Sequence, residues 1–422
     1  MFHSVPGLME AIRDRFAHVS ACPFQGERVF FENAGGALTL KSVVETTARF
    51  AAIPDNQGRD NVAAHALMET IRQARADMAV LFNAPGGQFI VGESGTELLF
   101  RLIRTACLGT PADGRVLGST LEHPASRSAC DRYAPLSGKE HVLVAHDSAV
   151  GSVDAEAYRP AITPDTRVAT IVHTSPVTGM GVDVAAVAAA IRAVSPACFI
   201  IVDGIQHAAH GRLDLAAYGV DGYVISPYKA FSRHGYGVAW LSDRLAALPH
   251  DSLMNAPGAP WELGTRDTGA YATISDVVAY LEWLGGHFTE ETDRRARIVA
   301  AGEAIHAHEK VLTDAMLYGT GNLPGLADIP GVQVVGGIEN PLREGLVSFT
   351  LADRAAPDIV AALNRAGVRT HTRKADHYSG NILGPLGLES CVRVSVCHYN
   401  TEDEVARFLA AVRDVVTAQA PL

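Results

Sequence analysis

Two short apolar runs, each leading to an ionisable residue, constrain this chain more than anything else in it. Phe199-Ile200-Ile201-Val202 stops at Asp203, and Tyr223-Val224-Ile225-Ser226 stops just before Tyr228 and Lys229. Both runs have the length and β-branched content of parallel strands buried on two faces. In an open α/β sheet, ligands bind beyond the carboxyl ends of the strands. An acid and a lysine at two such ends point to one site. Taken singly, each residue also has an ordinary explanation, Asp203 as a helix cap and Lys229 as a solvated loop lysine.

As a pair they suit pyridoxal phosphate. A lysine amine condenses with an aldehyde, and an acid that keeps a pyridine nitrogen protonated lets the ring accept electrons from a substrate Cα. Gln206, on the loop after Asp203, can reach a ring oxygen.

The chain has the material to bury such a site. Of 422 residues, 48% are hydrophobic and 19% charged, enough for two or more domains with a large core. The formal charge of −11 argues against a nucleic-acid partner and leaves no basic membrane patch. The six cysteines are scattered and form no CxxC pair, which fits a reducing cytoplasm better than a disulfide scaffold or a zinc site. The 17 histidines include no HExxH, and His207/His210 and His306/His308 lack a clear third ligand, so no metal is expected. No apolar stretch is long enough to span a bilayer.

Strand and helix signals alternate, which predicts an α/β fold with a mostly parallel sheet covered on both faces. Leu8, Ile12 and Phe16 share one face of a helix over 7–18. A strand from Val29 runs into the Asn33-Ala34-Gly35-Gly36 turn. A helix over 64–81 precedes the strand Gln88 to Val91, and Ser94-Gly95-Thr96 then opens a helix ending at Gly109. Free amides at that helix start favour a phosphate, although a Ser-Gly-Thr cap needs no ligand. Further strands are expected at 116–119, 141–145 and 167–172, with a helix over 184–194. His123, on a loop after one of these strands, can lie flat on a heteroaromatic ring or be an ordinary loop histidine. Beyond Leu241 come helices at about 269–285 and 289–317. A smaller α+β unit follows, with strands at 345–351 and 392–396 and helices at 356–366 and 401–417. Thr401 and Glu404 have capping-box spacing.

The order FENAGG, SGTE, EHPAS, VDGIQHAAH, SPYK, WELGT and RVSVCHYNT resembles the class V aminotransferase family of fold type I pyridoxal-phosphate enzymes, and within it the cysteine desulfurase-like branch. The resemblance covers nearly the whole chain. It implies a large domain with a mostly parallel seven-stranded sheet over 41–290 and a smaller C-terminal α+β domain over 291–422. Residues 1–40 would pack on the small domain. It implies Lys229 as the lysine that holds the cofactor and shuttles protons, Asp203 on the ring nitrogen, Gln206 on the ring hydroxyl and His123 stacked on the ring. Gly95, Thr96, Ser226 and Tyr228 would hold the phosphate. Gly264 and Thr265 would reach the phosphate of the neighbouring subunit in a homodimer with shared active sites. Arg393 would clamp the substrate carboxylate, and Asn33, Ala34 and Gly35 would line the substrate pocket.

Two stretches depart from the family pattern. Pro176 stands where many relatives carry an asparagine, and it offers no donor from side chain or backbone. The loop 368–379 carries no cysteine where desulfurases place their nucleophile. Arg369, Arg373, Lys374 and His377 make it basic and polar instead, suited either to an acidic substrate side chain or simply to solvent. The expectation is a cytoplasmic enzyme acting at the Cα of an amino acid. A carbon–sulfur or related β-elimination lyase without a persulfide cysteine comes first. Aminotransfer or epimerisation is the alternative, and a catalytically silent binding protein of the same fold is a reading from another class.

Overall fold

The computed structural model describes residues 2–417 apart from Ala259 and Asn340. Seven strands make the main sheet: β1 (Gln88–Gly92), β2 (Arg115–Ser119), β3 (Glu140–Val144), β4 (Thr166–Val172), β5 (Phe199–Asp203), β6 (Gly222–Ile225) and β7 (Gly237–Leu241). They lie in the order β1-β7-β6-β5-β4-β2-β3. Only β7 is reversed, pairing antiparallel with both β1 and β6. The other strands therefore point their carboxyl ends the same way. Register sets Asp203 level with Val172 on one side and Val224 on the other, so β4, β5 and β6 end as one ledge.

Period-two alternation divides the strand residues between two cores. Ile200, Val202 and Ile225 join one core, and Ile201 and Val224 join the other. The second core is closed by the helix Gly95–Leu108, whose Leu98, Leu99, Leu102 and Ile103 are fully buried. A further four-stranded antiparallel sheet comprises β8 (Val332–Val334), β9 (Leu346–Leu351), β10 (His371–Lys374) and β11 (Ser390–Ser395), in the order β8-β9-β11-β10. It packs against the helices Arg294–Tyr318, Ala356–Arg365 and Glu402–Thr417 around Val347, Phe349, Val392 and Phe408.

The N-terminal segment divides between these bodies. Leu8, Ile12 and Phe16 enter the large core, whereas Val29 and Phe31 enter the small one. The first helix is shorter than its periodicity predicts, ending at Arg13, although Phe16 still buries its ring. The charged helix starts at Arg294 rather than near 289, behind an Asp293 cap that accepts the Ala296 N–H at 2.8 Å. No helix among the described residues is long and apolar enough to cross a membrane.

Candidate active site

Lys229 and Asp203 reach one cavity, whose wall also includes Thr96, His123, Thr174, Pro176, Gln206, Ser226 and Tyr228. The chain leaves β6 and turns through Pro227–Lys229, closed by the Lys229 N–H on the Ser226 carbonyl at 2.9 Å. Asp203 ends β5 at 5% exposure, and its Oδ1 accepts the Ile205 N–H at 3.1 Å. Burial raises the Asp203 carboxyl to about 6, against the opposing pulls of that N–H and of Lys229. Burial lowers the Lys229 amine to about 7, aided by the Arg393 charge and opposed by Asp203. An amine in that range is a nucleophile and a base near neutrality.

His123 caps the helix Pro124–Leu136, its Nδ1 accepting the Ala125 N–H at 3.2 Å. That bond leaves the ring proton on Nε2. Burial, and then the charges of Lys229 and Arg373, hold the imidazole at about 4, so it is a neutral ring at pH 7.

Gln206 connects the lysine to the interior. Its Oε1 accepts from Lys229 Nζ at 3.2 Å, and its amide nitrogen lies 3.1 Å from His210 Nε2. His210 Nδ1 is 2.8 Å from Glu309 Oε2, a residue of the long helix Arg294–Tyr318. Cys397 Sγ lies within 4.8 Å of these two groups, but the imidazole and the carboxylate already bond each other. Beside this line, Glu344 accepts from Thr174 Oγ1 at 2.8 Å and sits 2.6 Å from His207 Nδ1. Sequence reasoning missed Glu309 and Glu344. The one available signal was the 207/210 histidine spacing, and their partners come from another part of the chain.

At the other end of the cavity the helix Gly95–Leu108 begins. Ser94 caps it through the Glu97 N–H at 3.1 Å. The amides of Gly95 and Thr96 are the first of the helix and have no preceding turn to bond. Gly95 is required by close approach, because a Cβ there would sit 2.4 Å from Ser226 Oγ and 2.6 Å from Ile205 Cδ1. These groups fit pyridoxal phosphate: a buried acid for the ring nitrogen, Gln206 for the ring oxygen and a neutral imidazole for the ring face. Helix amides with Thr96 and Ser226 suit the phosphate, and the amine of Lys229 suits the aldehyde.

A cleft of about 570 Å³ opens outward from this cavity, with Glu32, Ala34, Gly35, Arg373, Tyr378 and Arg393 among its walls. Arg393 is 3% exposed, donates to the Pro176 carbonyl at 3.0 Å, and has no partner for Nε among the described residues. The proline that lacks a donor thus supplies the acceptor that orients the arginine. Asn33 does not join the wall. Its side-chain nitrogen donates to the Ser395 carbonyl at 2.8 Å and its Oδ1 accepts from Tyr399, which ties the turn to β11. Tyr228 stacks on His234 with ring centroids 4.3 Å apart. Gly264 and Thr265 lie outside the cavity; Thr265 lines a separate pocket with Phe50, Ile53 and Arg266.

The profile of the aminotransferase class-V family matches residues 29–408. A probable cysteine desulfurase of Xylella fastidiosa is 26% identical, covering 92% of this chain and 90% of that protein. The cysteine desulfurase-like protein ustD of Aspergillus flavus is 27% identical over 97% of this chain and 91% of its own length. The nonribosomal peptide synthetase-like enzyme fsqF of Aspergillus fumigatus is 28% identical over 92% of this chain, which spans only 25% of that protein. Among solved structures, the cysteine desulfurase CsdA of Escherichia coli superposes with a TM-score of 0.76 at 24% identity, covering 97% of this chain and 98% of that one. At these identities the superposition shows the fold.

Proposed function

The chain belongs to the class-V aminotransferase family, a family of pyridoxal-phosphate-dependent enzymes, and from this premise we propose that it is a carbon–sulfur or related β-elimination lyase that uses no persulfide cysteine. The observation that carries the pyridoxal-phosphate enzyme reading is the cavity that joins Lys229, Asp203, Gln206 and His123 at the strand ends; the missing cysteine below carries the choice of a lyase without a persulfide. When bound, pyridoxal phosphate supplies an aldehyde that captures the substrate amine and a ring that takes up the electrons released at Cα.

The chain's own residues do the rest. Lys229, with its amine near neutral, removes the Cα proton. Asp203 would hold a proton on the ring nitrogen. Gln206 would bond the ring oxygen, and His123 would cover the ring face without adding charge. Arg393 takes the substrate carboxylate, aligned by the Pro176 carbonyl. The substituent would leave Cβ with its bonding pair, and Lys229, carrying the proton taken from Cα, would be placed to protonate it.

No cysteine occurs on the loop 368–379. Cys391 is on the adjoining strand, fully buried, and burial raises its thiol to about 11, far from a working nucleophile. This favours elimination without sulfur transfer to the protein. Transamination and epimerisation use the same groups and form the alternative. We place the protein in the cytoplasm as a homodimer.

The deciding experiment screens amino acids with the loaded protein for keto acid, sulfide and ammonia, alongside borohydride fixation of cofactor on Lys229. Keto acid and ammonia without an added amino acceptor are expected. Keto acid that appears only with an acceptor makes the protein an aminotransferase. A protein that stays colourless with the cofactor and fixes no label at Lys229 is a binding protein of the same fold.

A further inference from the structure

Of the basic residues on the loop 368–379, the structure turns some toward the cleft and others away. Arg369 pairs with Glu32 at 3.0 Å, and His371 lies 3.3 Å from the same carboxylate. His377 is not on the cleft wall. Arg373 is on it and half-buried, with Lys374 exposed at the rim.

The position of Arg373 follows from register. In the β10–β11 ladder His371 is level with Arg393, and Arg373 with Cys391. Side chains two apart along a strand share a face, and so do level partners. Arg373 and Arg393 are therefore diagonal neighbours on one face, their backbones roughly 7–8 Å apart. Like charges at that spacing repel unless an anion lies between them. Arg373 donates its Nε to Ser379 Oγ at 2.8 Å, which fixes the side chain. Its guanidinium lies over Tyr378, 5.9 Å from the ring centroid. Among the described residues no carboxylate forms an ion pair with either arginine. Of the two carboxylates on the cleft wall, Glu32 is held by Arg369 and His371 and reaches Arg393 only through its charge, and Asp376 is exposed, accepts the Tyr378 N–H at 2.8 Å and reaches Arg373 only through its charge.

We infer that the substrate is an amino acid whose side chain carries a second anionic group, a carboxylate or a sulfinate, with Arg393 binding the α-carboxylate and Arg373 the second anion. This rests on the enzyme reading above and names its substrate class: a sulfinate on Cβ is itself a leaving group for the elimination, a carboxylate has to be carried on the group that leaves Cβ, and aspartate and glutamate serve as binding probes for it. A planar guanidinium held by its Nε presents its remaining N–H groups as a fork that matches an oxyanion.

The test is equilibrium binding to the cofactor-loaded protein, read from the visible absorption band and by calorimetry. Aspartate is compared with asparagine, glutamate with glutamine, and cysteine sulfinate with cysteine. The acidic member of at least one pair is expected to bind tenfold or more tightly, and the pair that shows the preference tells carboxylate from sulfinate. Arg373→Gln should bring the acidic-to-neutral affinity ratio within each pair to near one, and Arg373→Lys should keep part of the preference. Arg393→Gln should weaken both members of every pair. Equal binding of acidic and neutral members, or a preference that survives Arg373→Gln, overturns the inference and leaves the enzyme reading standing. An absorption band that no amino acid perturbs, with no heat of binding, removes both.

Discussion

At the level of single residues, the chemistry turns on what burial does to Lys229. Its amine is lowered from 10.5 to about 7. Between those values the unfolded chain binds more protons than the folded one, so stability of the cofactor-free protein rises with pH across that window. The penalty is full below about pH 7 and gone above 10.5. Lys229→Met should flatten that slope and raise stability at pH 7 by on the order of 2 kcal/mol, less than full conversion because the amine opens to the cleft. Urea melts of both proteins from pH 7 to 10 check it; parallel profiles refute it. That Lys229, Asp203, Gln206 and His123 meet in one cavity was legible in the sequence because each follows a strand-like run. Asn33 misled for a physical reason. A glycine turn marks close backbone approach, but nothing local tells that its asparagine amide is needed to hold β11. Glu309 and Glu344 left no mark, since a buried acid is recognised only by the distant histidine it meets.

Among the elements, those built from buried β-branched runs were legible to within a residue or two, β5 and β6 being the clearest. The polar strand β10, His371–Lys374, was not, because its backbone is ordered by pairing with β11 and not by an apolar face of its own. The strand β7 was missed for a related reason. An apolar run gives no direction, and its reversal follows from the short connection after Lys229. The capping box was legible and is present: the Glu404 N–H meets Thr401 Oγ1 at 3.3 Å and the Thr401 N–H meets Glu404 Oε2 at 3.1 Å. The structure adds that Glu404 also accepts from Asn400 Nδ2 at 2.9 Å and pairs with Arg13 at 3.1 Å. Thr401→Ala should therefore cost about 1 kcal/mol, as an ordinary cap does. Glu404→Ala should cost roughly 2–3 kcal/mol, because it also removes the ion pair with Arg13 and the acceptor of Asn400. Thermal unfolding of the two variants measures the difference, and equal losses would mean that the link to Arg13 adds nothing.

At the scale of the whole molecule, one chain supplies a ring site and a substrate cleft but leaves the WELGT loop outside both. Gly264 adopts φ +75°, with no atom within 4 Å of where a Cβ would stand, and Thr265 is exposed. Leu253 and Met254, shortly before this loop, are 62% and 91% exposed. In the homodimer proposed above, a second copy of the chain would cover these side chains and bring Thr265 to the phosphate end of its partner's cavity, where Thr96, Ser226 and the helix amides converge. On that proposal cofactor affinity is a property of the pair. Diluting the protein below its dimer dissociation constant should weaken pyridoxal-phosphate binding. Thr265→Ala should weaken it roughly tenfold at any concentration, as loss of a hydrogen bond to a charged oxygen does. Sedimentation velocity and cofactor titration over the same range of concentration test the two together. An affinity that is indifferent both to dilution through dissociation and to Thr265→Ala would mean that each chain completes its own phosphate site, and that the exposed loop serves something else.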